Sequence, residues 1–91
     1  MRRAAKVDLN QQAIVDALRQ IGCDVEVIGR PVDLLCGYKG VNLLLECKNP
    51  KGKNSLAEGQ KRFMATWRGQ VRVVRAVDEA IRAVRGFVNA D

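Results

Sequence analysis

The stretch from Val32 to Pro50 constrains this chain more than any other. Two apolar runs, Val32-Asp33-Leu34-Leu35-Cys36 and Val41-Asn42-Leu43-Leu44-Leu45-Glu46-Cys47-Lys48, flank Gly37-Tyr38-Lys39-Gly40. Apolar runs of strand length on either side of a glycine-bearing tetrapeptide read as a β-hairpin. Neither run alternates cleanly, so both strands are expected to be covered on two faces. If Lys39-Gly40 forms a two-residue turn, Tyr38 faces Val41, and counting outward sets Asp33 opposite Glu46. Directly opposed residues share a face, with Cβ atoms about 4.5–5.5 Å apart. Lys48 lies two residues beyond Glu46 and points to the same face.

The flanking segments supply helices. Asp8 is positioned as a cap, with Gln11 three residues on, before a helix whose stripe is Ile14, Ala17, Leu18 and Ile21. Gly22 ends it. Asp24 to Ile28 alternates as a strand does, and Gly29-Arg30-Pro31 is a turn. After the polar loop Asn49–Asn54, Ser55 is expected to cap a second helix through Leu56, Gln60, Phe63, Met64 and Trp67, stopped by Gly69. Val71–Val74 is a short strand. A last helix opens at Val77 or Asp78 and buries Ala80, Ile81, Val84 and Phe87. The order α-β-β-β-α-β-α predicts an α/β fold, a small mixed sheet flanked by helices.

All this fits one domain over residues 1–91, of which 1–7 read as a flexible basic arm. Sixteen Lys and Arg against ten Asp and Glu give a net charge of +6, which points toward polyanionic partners. The absence of histidine excludes histidine acid–base chemistry and imidazole-bound zinc. Cys23, Cys36 and Cys47 are odd in number and form no Cys-x-x-Cys pair, which suits free thiols in a reducing compartment. No run is long enough to span a membrane, and the basic start leads into no signal-peptide core.

Asp33, Glu46 and Lys48 carry the chemistry. Two carboxylates at cross-strand distance repel each other, and a divalent cation with a taste for oxygen ligands relieves the repulsion. A neighbouring lysine then serves to orient water or balance charge at a phosphate. The same three residues also read as an ion network at a sheet end, and spacing alone leaves both readings open.

Asp33 followed by Glu46-Cys47-Lys48 resembles the Asp…Glu-x-Lys signature of the PD-(D/E)XK nucleases. More specifically, the chain is similar to a stand-alone, phage-type VRR-NUC domain. The likeness runs through Asn10-Gln11, Asp33-Leu34-Leu35, Gly37-Tyr38-Lys39-Gly40, Leu45-Glu46-Cys47-Lys48, Leu56, Gln60, Trp67-Arg68-Gly69, Val73-Val74-Arg75 and Val77-Asp78-Glu79-Ala80. It implies a restriction-endonuclease-like core and a Mg²⁺- or Mn²⁺-dependent endonuclease. It implies Asp33, Glu46 and the backbone carbonyl of Cys47 as metal ligands, Lys48 as the catalytic lysine and Gln60 as a residue near the site. It also implies branched DNA as substrate, a four-way-junction resolvase working as a homodimer, no nucleotide cofactor, and the cytoplasm of a bacterium or a phage-infected host. The alternative is a catalytically weak, nuclease-like DNA-binding module. A basic interaction domain with an incidental triad is a third reading.

Two departures from the family pattern stand out. Val32 separates Pro31 from Asp33, and Ala13 occupies the first-helix position where the family often has a Glu.

Lys51, Lys53, Lys61 and Arg62 flank the proposed site as candidate phosphate contacts, with Arg30 and Lys39 at the ends of the first hairpin strand. Arg68, Arg72, Arg75, Arg82 and Arg85 read as ordinary surface charge. Phe63 and Trp67, four apart on one helix, read as core or dimer contacts rather than base-stacking platforms. Cys47 reads as a small core residue.

Overall fold

The computed structural model describes residues 9–49 and 56–88. The expected caps Asp8 and Ser55, the basic arm, and Lys51 and Lys53 lie outside the described residues. The elements run α1 (Leu9–Gln20), β1 (Asp24–Val27), β2 (Leu34–Tyr38), β3 (Val41–Cys47), α2 (Glu58–Thr66), β4 (Val71–Val74) and α3 (Val77–Val88). The sheet order is β1-β2-β3-β4, antiparallel through β3 and parallel between β3 and β4. The chain is therefore α/β with a small mixed sheet, in the order the sequence predicts.

The hairpin turn fixes the register. Lys39 and Gly40 both have positive φ, 50° and 83°, as a two-residue turn matched to strand twist requires. Tyr38 then pairs with Val41 and Leu34 with Leu45. Gly22, with φ 96°, closes α1, and the Cys23 N–H returns to the Leu18 carbonyl at 3.0 Å.

The core lies on one side of the sheet. Ile14, Val15 and Leu18 of α1 and Ala80 and Val84 of α3 pack on Val25, Leu34, Cys36, Leu43, Leu45 and Val74. Removing one such side chain, as in Leu45→Ala, is expected to cost about 2–5 kcal/mol in denaturant unfolding. The other face differs from the expectation of two covered faces. Alpha-helix α2 has no buried residue, Leu35 is 38% exposed and Trp67 is 48% exposed. The broken alternation of β2 and β3 therefore reflects a face covered thinly by a short helix.

Cys23 and Cys36 are buried free thiols. Burial, aided by the neighbouring Cys23, pushes the Cys36 thiol up to about 12 from an ordinary 9.0, and burial likewise raises Cys23. The fold thus favours the neutral thiols. That stabilisation is complete below the unfolded value and is lost as pH rises through the alkaline range toward 12. Cys36 is expected to resist iodoacetamide near pH 8 in the native protein and to react once the chain is denatured, as read by mass spectrometry.

Candidate functional site

Asp33 stands one residue before β2, and Glu46 is the penultimate residue of β3. They lie on the sheet face opposite the main core, with Lys48 just past the end of β3. The two carboxylates lock each other's strands. The Asp33 N–H donates to Glu46 Oε1 at 3.2 Å, and the Cys47 N–H donates to Asp33 Oδ2 at 2.8 Å. The Asp33 carbonyl also accepts from the Ile28 and Gly29 N–H groups at 2.9 and 3.2 Å, closing the loop that carries Arg30 and Pro31 back onto the site. The Arg30–Pro31 peptide is cis.

Glu46 is 4% exposed and is the buried charged residue among those described. Lys48 Nζ stands 3.5 Å from Glu46 Oε2, and its own side chain is 17% exposed. A buried carboxylate is costly unless it is paired, and Lys48 supplies the pairing. The Lys48 N–H continues the parallel ladder to the Val74 carbonyl at 2.9 Å. The lysine is thus anchored at both its backbone and its head.

A second anchor was not read from sequence. Asn10 Nδ2 donates to the Lys48 carbonyl at 2.9 Å and to the Arg75 carbonyl at 3.3 Å. One amide therefore ties α1 to the C-terminal ends of β3 and β4. Ala13, the first-helix position singled out in the sequence, is exposed. The helix residue that reaches the triad's end of the sheet is Asn10. Asn10→Ala leaves two carbonyls without this donor, and about 1–3 kcal/mol of stability is expected to be lost in denaturant unfolding.

Gln60 lies in the first turn of α2, and its Oε1 accepts from the Ala57 N–H at 3.4 Å. With Ala57 and Gly59 it faces Arg30 and Pro31 across a cavity of about 440 Å³. The structure thus sets Gln60 beside the loop leading into Asp33, with its amide oxygen engaged in ordering the start of α2. Cys47 packs against the core, with its thiol on the face away from Glu46 and Lys48. Arg30, Lys61 and Arg62 are exposed, as is Lys39. Lys39 is at the hairpin turn, six residues from Asp33 and so about 20 Å along the strand. Its ammonium sits 5.4 Å from the Tyr38 ring centroid.

Two hard carboxylates from paired strands, each held by a backbone N–H, suit an oxygen-seeking divalent ion. Among the described residues no cluster of three or more His, Cys, Asp or Glu side chains forms a metal cage. An ion at this place would draw on two carboxylates completed by main-chain or water oxygens. No protein-family model, curated protein or solved structure matches this chain.

Proposed function

We propose that the chain is a metal-dependent endonuclease of the VRR-NUC type that hydrolyses phosphodiester bonds in branched DNA. The observation that carries this reading is the buried Glu46 carboxylate, cross-locked to Asp33 and paired with Lys48. Asp33 and Glu46, with the Cys47 carbonyl, would hold Mg²⁺ or Mn²⁺. Such an ion, when bound, makes water more acidic and polarises a phosphoryl oxygen. Lys48 holds positive charge where the phosphate gains negative charge, and its ammonium donates hydrogen bonds that orient water. Asn10 keeps the Lys48 backbone in place. Arg30, Lys61 and Arg62, with Lys51 and Lys53, supply phosphate contacts. Gln60 orders the start of α2, across a cavity from the Arg30–Pro31 loop.

A four-way junction needs two symmetric cuts, and a two-fold pair of copies supplies two sites at a fixed spacing. Among the described residues no helix is long and apolar enough to cross a membrane. The compartment that goes with this reading is the cytoplasm, where three thiols stay reduced.

A second reading, a DNA-binding module with little chemistry, is favoured by one observation. Helix α1 brings an amide, Asn10, rather than a carboxylate to this end of the sheet.

One assay tests both readings. Four-way junction, flap and linear duplex DNA are incubated with Mn²⁺, Mg²⁺ or EDTA. Paired cuts in the junction, present with either metal and absent with EDTA, are expected. Tight junction binding without cleavage in any condition would replace the nuclease by the module.

A further inference from the structure

The same sheet face that carries Asp33 and Glu46 continues directly into an apolar groove. Leu35 is the next residue after Asp33 on that face, and Leu44 is the one before Glu46. Same-face neighbours along a strand are about 7 Å apart. Leu35 and Leu44 floor a groove of about 740 Å³ whose walls include Pro31, Val41, Phe63 and Trp67.

The aromatic wall is held rigidly. The Phe63 and Trp67 rings stack with centroids 5.0 Å apart and planes 29° from parallel. The indole also packs against Gly69, where an added Cβ would fall 2.6 Å from Trp67 Nε1. Trp67 is nonetheless half exposed. A large ring held in place with about half its surface left to solvent is not a core residue of this chain.

Charge selects the occupant. The groove's lining residues include no acid. Its sequence neighbours Arg30, Lys61, Arg62 and Arg68 are exposed cations, while the acidic Glu26 faces Leu35 from the outer strand β1. A phosphate backbone is drawn to a chain of net charge +6. An apolar slot with an aromatic wall, whose lining residues Pro31, Phe63 and Trp67 adjoin exposed arginines in sequence, matches the way single-stranded nucleic acid is held.

We infer that the Phe63–Trp67 groove takes an unpaired nucleobase of the DNA, one or two nucleotides from the phosphate held at Asp33, Glu46 and Lys48. The inference rests on the reading of the chain as a protein that acts on DNA. It gives that reading a reason to prefer flapped or gapped substrates, since their single-stranded segments offer unpaired bases that duplex does not.

Trp67 is the chain's single tryptophan, so its fluorescence reports the groove alone. The full chain is titrated in Ca²⁺ with duplex DNA, with the same duplex carrying a three-nucleotide flap, and with the same duplex carrying an abasic flap. Quenching by the base-bearing flap is expected, with little from duplex or abasic flap. Trp67→Ala, followed by a labelled-DNA anisotropy readout, weakens flap binding about tenfold and leaves duplex binding unchanged, while Trp67→Phe retains flap affinity.

Equal quenching by the base-bearing and abasic flaps overturns the inference. So does a DNA-insensitive, blue-shifted emission from a dimer that Trp67→Ala dissociates in sedimentation, since a second copy then fills the groove. Mn²⁺-dependent cleavage separates the two claims. A chain that quenches on the flap and never cuts keeps the groove and loses the nuclease. A chain that cuts and shows no base-dependent quenching loses the groove alone.

Discussion

Lys48→Ala is expected to lower junction cleavage by about 10²–10⁴-fold, the usual span for removing a positioned charge or proton-transfer group from a reacting centre. The same change strips the counter-charge from Glu46, which is 4% exposed. Breaking a buried pair in this way costs about 3 kcal/mol or more, so the variant melts earlier at neutral pH. The two effects separate experimentally. Cleavage is measured well below the variant's melting point, with circular dichroism confirming the fold. If the folded variant cuts at the wild-type rate, Lys48 is only the partner of Glu46 and has no part in chemistry.

Calcium or manganese is expected to raise the melting temperature of the wild-type chain. At a metal concentration a hundredfold above the dissociation constant, binding adds ~2.7 kcal/mol to stability. For a domain near this size that corresponds to a rise of about 10–20 °C. Asp33→Ala should abolish the shift, because it removes one carboxylate and with it the acceptor of the Cys47 N–H at 2.8 Å. Lys48→Ala should enlarge it, since the metal then also supplies the charge that Glu46 has lost. A metal shift undiminished in Asp33→Ala would place the ion elsewhere.

The hairpin was legible because its turn is chemically explicit. Lys39-Gly40 between two apolar runs fixes a two-residue loop, and that loop sets every pair outward to Asp33 and Glu46. Other features were not legible, for physical reasons. Asn10 bonds to carbonyls 38 and 65 residues away in sequence. A side-chain amide meeting a backbone carbonyl leaves no pattern in either segment, and it was the family resemblance that pointed to Ala13.

The thin packing of α2 was equally hidden. Phe63 and Trp67 at helical spacing mark an apolar stripe, but spacing does not say whether the chain itself covers it. Gln60 had a local signal. With Ala57 three residues before it, its oxygen meets the Ala57 N–H as in one half of a capping box. The expected start at Ser55 masked this, because it shifted the cap by two positions.

The nuclease reading requires a divalent ion between Asp33 and Glu46. The most direct test is a crystal of the chain grown with Mn²⁺ and measured for anomalous scattering. A manganese peak is expected within coordination distance of a carboxylate oxygen from both Asp33 and Glu46, with Lys48 Nζ displaced from its 3.5 Å approach to Glu46. A map with no peak there, and with the Lys48–Glu46 pair intact in saturating Mn²⁺, would contradict it.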